Sequence, residues 1–451
     1  MLDRINRIFK DEDFVEIFKG SSVSFLLRFG GLFIGYILTL LIANLFGAKG
    51  LGEYILAITV LELFTLCAKL GFDTTSIRFI ASYAIKNKWN SIFHLRRKML
   101  AVLSVSSLLA SCLMYYFSDL LSVLLSTNAS YIQLSSFFIL PLSFFVLHYQ
   151  SLRGLKRIAE FSFFYRMSRG LFAVISITIL YQFNQSKDIA LYSYLISILI
   201  VSILSFLSFR YWLNIRSKNK QSAVLEVMKY STLFKISIPL MFAQSVQFIM
   251  AWTDKLMLGY FTDSTEVGLY HTAFKLSMFA AIALMSINSI ASPKFAEMFA
   301  KQDMQGLKKV VQQSTKMIFW STLPLVFIFF IFPEFLLGLF GEEFKVAVIT
   351  FIILSFGRLI SSFCGSVGNI LQMTGYQKEF ALILFCAATL NVLLNIMLIP
   401  ERNFFGINGL DGINGAALAS MSSMIFWNIS MVFVVKKKLG FYTFYIPFIK
   451  K

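Results

Sequence analysis

Long apolar runs punctuate the chain, and they decide what it can fold into. Stretches such as MLAVLSVSSLLASCLMYYF (99–117) and LYSYLISILIVSILSFLSF (191–209) recur between short polar connections. Each run approaches the ~20 residues that cross a bilayer as a helix. In lipid the backbone must satisfy its own hydrogen bonds, which leaves helices or closed barrels. A barrel needs shorter segments with alternating polarity, and the chain has none of that pattern. Composition agrees: 57% of residues are hydrophobic and 14% charged, with 51 Phe and only 7 Pro. The sequence predicts an all-α integral membrane protein of about twelve transmembrane helices.

The expected spans are 23–45, 51–71, 99–117, 131–152, 168–183, 190–210, 236–260, 267–289, 317–336, 346–372, 379–399 and 414–435. They define an amphipathic N-terminus (1–22) lying along the membrane surface, a first six-helix lobe (23–210), a linker (211–235), a second lobe (236–435) and a basic tail (436–451). A net charge of +18 would suggest nucleic acid as a partner in a soluble protein. Here the basic residues fall mainly on one side of the expected spans, with only four of the 41 Lys and Arg in the opposite connections. The positive-inside rule then places both termini in the cytoplasm and removes the reason to expect nucleic acid. The start, MLDRINRIFKDEDFVEIFKG, reads as no cleavable signal peptide.

Cys67, Cys112, Cys364 and Cys386 all lie in apolar runs without metal-ligand spacing, so neither a metal site nor a disulfide framework is expected. His94, His148 and His271 read as ordinary polar residues. No phosphate-binding loop is present, and no nucleophile, base and orienter come together. We therefore expect no enzyme activity and no cofactor.

The lobes repeat. An offset of 216 sets LGEYILA (51–57) on VGLYHTA (267–273) and IRFIASYA (77–84) on PKFAEMFA (293–300). An offset of 221 sets QSLRGLKR (150–157) on LQMTGYQK (371–378). Six spans per lobe start both lobes from the same side, a parallel repeat with a substrate path expected between them.

Charge inside the spans carries the functional signal, because each intramembrane charge costs roughly 2.5–3.5 kcal/mol near the middle of a helix. Ser24, Arg28, Gly31, Gly35 and Thr39 share one face of the first span, and the repeat places Gln244, Gln247, Ala251 and Lys255 on the matching face of the seventh, beside Asp254. Small residues on that face also suit close helix packing. The second helix of each lobe adds Thr59, Glu62 and Lys69, and His271 and Lys275; the tenth span adds Arg358, ahead of Ser361, Ser362 and Asn369. Asp254 and Lys255 could form a self-neutralising pair, and Arg358 a salt bridge to Glu62 or Asp254. Otherwise Arg28, Lys255, Lys275 and Arg358 line a cationic cavity suited to phosphate or pyrophosphate, with Gln244, Gln247 and Asn369 as polar lining. Glu62 and Asp254 then become candidates for coupling a proton or sodium ion.

The run LLIANLFGAKGLGEYILAITVLELFTLCAKLGFDTTSIRFIASYAIKN (40–87) resembles the polysaccharide-transporter branch of the multidrug/oligosaccharidyl-lipid/polysaccharide superfamily. The resemblance rests on Gly47, Leu51, Gly52 and Tyr54, on the LGF-x5-RF run, and on DKLMLGY in the seventh span. It extends over 20–435 as pattern and topology. It implies a Wzx-type flippase that turns undecaprenyl-pyrophosphate-linked oligosaccharide across the bacterial inner membrane for O-antigen or capsule synthesis. A polymerase and glycosyltransferases would then be its partners, and the four cations would hold the pyrophosphate or acidic sugars. The rivals are a cation-coupled multidrug exporter of the same superfamily and a non-transporting scaffold for polysaccharide assembly.

Overall fold

A computed structural model describes residues 12–217, 226–400 and 411–444. The described residues are helices joined by short turns. In chain order they are α1 (Glu12–Ala68), α2 (Phe72–Ile85), α3 (Trp89–Tyr116), α4 (Ser118–Leu124), α5 (Ala129–Ser136), α6 (Ile139–Gly154), α7 (Ile158–Ser162) and, after a π-helical turn, α8 (Arg169–Phe183) and α9 (Ile189–Ser217). Then follow α10 (Tyr230–Phe261), α11 (Ser264–Ser277), α12 (Ala281–Ala300), α13 (Met304–Ile331), α14 (Pro333–Gly338), α15 (Val348–Cys364), α16 (Val367–Met373), α17 (Gln377–Leu398) and α18 (Gly412–Leu439).

Among the described residues nine helices are long and apolar enough to cross a membrane, and α5 with α6, bent by 51°, can make a tenth. The protein is a multi-pass membrane protein. Two differences of outline separate this from twelve expected spans. The apolar stretch Leu26–Ala68 holds the first two spans in one helical run, and α10, covering the seventh, has several side chains outside the described residues. The expected span 346–372 is broken at Gly365 into α15 and α16. Residues 1–11, 218–225, 401–410 and 445–451 lie outside the described residues, and with them the first half of the expected surface segment 1–22, part of the linker and the end of the basic tail.

Two compact units form. The first holds Met1–Ile42, Ala57–Val123 and Asn128–Gln247; the second holds Ala43–Leu56, Leu124–Thr127 and Phe248–Lys451. Thus α1 and α10 each contribute to both units.

In the second unit α1 changes course at Gly47, whose φ of 71° and ψ of −177° lie where only glycine rests without strain. The break frees the Ala48 N–H, which donates to Glu343 Oε1 at 2.7 Å. Just past it, Gly52 and Gly268 let two helices touch. A Cβ on Gly52 would stand 1.5 Å from the Ser264 carbonyl oxygen, and one on Gly268 would stand 2.1 Å from that of Ala48. These are the two glycines that the internal repeat pairs. Elsewhere in this unit Phe295, Val311, Ile370 and Val432 are fully enclosed in one apolar core.

In the first unit the N-terminal half of α10 packs on the turn before α2, where a Cβ on Gly71 would meet the Ser237 carbonyl oxygen at 2.1 Å. Buried Ser107, Ser135, Ser193 and Ser197 continue this use of small side chains at helix contacts.

Candidate functional site

Within the second unit, α10 turns Asp254 and Lys255 apart, since neighbouring residues on a helix stand about 100° apart around its axis. Both are buried, at 7% and 6% exposure. Asp254 Oδ2 accepts from the Tyr270 hydroxyl at 2.6 Å and from the Ser420 hydroxyl. Its Oδ1 accepts from the amides of Asn391 at 3.0 Å and Asn395 at 2.8 Å. Four neutral donors from α11, α17 and α18 therefore satisfy the carboxylate, and the self-neutralising pair with Lys255 is not formed.

Lys255 turns instead to aromatic faces, with Nζ 4.1 Å from the Trp252 ring centroid and 5.6 Å from that of Phe274. The Arg358 guanidinium, from α15, lies 5.5 Å from the same Phe274 ring. Lys275 follows Phe274 directly on α11. Ring faces offset about 2 kcal/mol of a desolvated cation's cost, but they leave its charge unneutralised. Among the described residues none of these three cations forms an ion pair. Arg358 Nε is buried without a hydrogen-bond partner, and so is Nδ1 of His271, one turn before Lys275. His271 is thus not the self-contained polar residue that the sequence suggests.

The remaining candidates lie in the first unit. Arg28, on α1, is partly buried, and its Nε has no hydrogen-bond partner. Glu62 accepts from Arg169 Nη1 at 2.5 Å, and the same nitrogen lies 3.1 Å from the Tyr194 hydroxyl. The acid expected to couple an ion is thus one half of an ion pair, and neither it nor Asp254 bridges to Arg358. Sequence reasoning passed over Arg169 because it opens the expected span 168–183, where a basic residue reads as an interfacial anchor. The signal available was Glu62 itself, a mid-span acid that needs a cation.

Gln244 also departs from expectation. Its Nε2 donates to Asp73 Oδ1 at 3.1 Å and Thr74 Oγ1 at 2.5 Å, joining α10 to the start of α2. Lys69 binds the same Asp73 at 3.1 Å. Asn369 is partly buried and stands on α16, beyond the Gly365 break and off the helix that carries Arg358. The side chains of Ser24 and Gln247 lie outside the described residues. Among the described residues no group of three His, Cys, Asp or Glu is placed to hold a metal ion.

Residues 17–299 match the sequence model of the family described as polysaccharide biosynthesis protein, and residues 239–397 match that of the MatE family. The probable low-salt glycan biosynthesis flippase Agl15 of Haloferax volcanii is 26% identical over 163 residues, 36% of this chain and 34% of the relative. The capsular polysaccharide biosynthesis protein CapF of Staphylococcus aureus is 23% identical over 249 residues, 53% of this chain and 61% of the relative. The matches thus span from about a third to three-fifths of these relatives' own length.

Solved structures extend the likeness to the fold. An inward-facing multidrug resistance transporter of the MATE family and the MOP superfamily superposes with a TM-score of 0.69 at 14% identity, covering 90% of this chain and 98% of that one. The lipid II flippase MurJ in an inward closed conformation gives 0.68 at 17% identity, covering 93% and 87%. With the first family model matching more than half of its length, the chain belongs to the polysaccharide biosynthesis protein family and has the fold of the MOP superfamily.

Proposed function

We propose that this protein is a flippase that turns a lipid-linked oligosaccharide, carried on undecaprenyl pyrophosphate, across the bacterial inner membrane. It works by alternating access, with both termini in the cytoplasm. The translocated unit feeds O-antigen or capsule synthesis, beside a polymerase and glycosyltransferases. The observation that carries this reading is the group of the buried Lys255 and the partly buried Arg358 over the Phe274 ring, with the partly buried Lys275 next to Phe274 in the chain, three cations without a carboxylate partner among the described residues. Such a group favours a multiply charged anion, and pyrophosphate offers oxygens enough for several cations at once. The family match and the names of Agl15 and CapF support a glycan as the rest of the head group. Asp254 is our candidate for ion coupling: its partners are four neutral donors, so no fixed cation cancels the carboxylate charge.

The MatE match gives a second reading, cation-coupled multidrug export, some support. An excess of unpaired cations is the wrong sign for cationic drugs. The test is translocation in vesicles reconstituted with purified protein and lipid-linked oligosaccharide. Lys255→Met, Lys275→Met and Arg358→Gln should each slow it about tenfold or more, the effect of losing one charge-assisted hydrogen bond. Wild-type rates in all three, at normal protein yield, would exclude these residues from the path, and no translocation by the wild type itself would leave the scaffold reading standing.

A further inference from the structure

Arg96, in the first unit, is a cation for which the reading above has no use. It lies on α3 just before the expected span 99–117; His148 lies near the end of 131–152, and Phe206 and Phe209 near the end of 190–210. The fold brings these residues of α3, α6 and α9 together. Arg96 Nη2 stands 3.4 Å from His148 Nε2. The guanidinium lies 5.1 Å from the Phe206 ring centroid and 4.9 Å from that of Phe209. The same two rings flank the imidazole, at 5.5 and 6.4 Å. His148 is 3% exposed, whereas Arg96 is only partly buried.

A guanidinium only donates, so the contact makes His148 Nε2 the acceptor and puts the imidazole proton on Nδ1. The neutral ring thus aims Arg96 without cancelling its charge. Carboxylates do not cancel it either, because Arg96 forms no ion pair among the described residues. Glu160 and Glu226 are taken by Arg157 and Lys88. Arg96 Nε and His148 Nδ1 are buried without hydrogen-bond partners. An arginine that merely anchors a helix end keeps its head in water, as the exposed Arg97 does. Two rings and an imidazole instead hold the Arg96 fork in one orientation.

The surroundings narrow what meets that fork. On α9 Ile203 and Leu207, one turn apart, are exposed beside Phe206, and on α3 Phe93 is exposed. Acyl chains therefore lie against this side of the unit, and loop charge assigns these helix ends to the cytoplasmic face. The anion within reach there is the phosphodiester of an inner-leaflet phospholipid, and basic pockets between helices at this depth suit acidic headgroups.

We propose that Arg96 binds the headgroup phosphate of an acidic glycerophospholipid on the lipid-facing side of the first unit, with His148 as its positioning residue. This lipid is a resident of the fold and not the transported molecule.

Native mass spectrometry of the detergent-purified full chain, titrated with dioleoylphosphatidylglycerol, tests the site. The wild type should hold one molecule more tightly than any further ones. Arg96→Gln should weaken that event ~10–100-fold, and Arg97→Gln should leave it unchanged. Arg96→Lys should fall between, because an ammonium keeps the charge and loses the fork; it decides the matter if Arg96→Gln lowers the lipid-free unfolding temperature. His148→Gln, whose amide oxygen still accepts from Arg96, should keep the lipid, and His148→Phe should lose it. Unchanged binding in both Arg96 variants would overturn the site. An equal loss in Arg97→Gln would also overturn it, as the mark of diffuse surface charge. So would equally tight dioleoylphosphatidylcholine, which shows no selection for headgroup charge, or displacement by inorganic phosphate, which marks a site for soluble anions.

Discussion

Asp254 and Lys255 show how much one step along a helix changes a residue's surroundings. Asp254 meets four donors and is structurally secure, whereas Lys255 meets two rings and no anion. A buried charge without a partner is held at a cost to stability, and such costs are commonly retained where function needs them. Lys255→Met should therefore leave the unfolding temperature unchanged or raise it while lowering translocation, which differential scanning fluorimetry and the vesicle assay measure separately. Asp254→Ala should do the opposite to stability. It abandons four buried donors, each worth about 1–3 kcal/mol when left unmade, and Asp254→Asn should recover only part because its amide nitrogen faces other donors. Equal unfolding temperatures for Lys255→Met and Asp254→Ala would contradict this division of roles.

Helices in this protein meet where side chains are missing or small. Gly52 and Gly268 hold one such crossing, so Gly52→Ala should abolish folded yield, its new methyl standing 1.5 Å from a carbonyl oxygen. Gly30→Ala, with only Met167 Sδ at 3.6 Å, should be tolerated; size-exclusion profiles compare the two. The Glu62–Arg169 pair joins α1 to α8 with 24% and 28% of these side chains exposed. Removing either partner should cost about 2–4 kcal/mol, and removing both should cost less than the sum. A double-mutant cycle on unfolding reads that coupling. The linker end is tied down more lightly. Glu226 binds Lys88 at 2.6 Å, its N–H donates to Ser91 Oγ at 2.8 Å, and Lys98 donates to the Met228 carbonyl at 2.7 Å. The hydrogen bond from Lys88 holds the Glu226 carboxyl below its ordinary value. The carboxylate's contribution is therefore complete above the ordinary carboxylate range, about pH 4–5, and is lost as pH falls through the lowered value. Hydrogen exchange at 226–230, corrected for intrinsic rates, should stay protected from pH 7 to about 5 and open below that, while Lys88→Ala should open it at pH 7.

For the whole molecule, the sequence was most legible where the solvent acts on many residues at once. Run length and composition were enough for helices in lipid, and the repeat marked Gly52 and Gly268 as equivalent. Side-chain partnerships were less legible because they depend on tertiary placement that no spacing encodes. Periodicity put Gln244 on a lining face, yet Asp73 and Thr74, some 170 residues away, take its amide. The same limit hid Arg169 behind a span boundary and gave Glu62 a coupling role that an ion pair occupies. Small residues were legible as a stripe but not in purpose; Gly31, where a Cβ would stand 2.4 Å from the Arg166 carbonyl oxygen, proved to be the packing kind. Orientation in the membrane is a property of the summed charge, and it yields the last prediction. Lys187, between α8 and α9, and Lys301, between α12 and α13, are both exposed and fall on opposite faces if basic loops stay inside. With Cys67, Cys112, Cys364 and Cys386 replaced, a cysteine at 187 should react with an impermeant maleimide in intact cells, and one at 301 only after permeabilisation. The reverse pattern would place most of the chain's loop cations outside and overturn both the topology and the inward-facing origin of the proposed substrate.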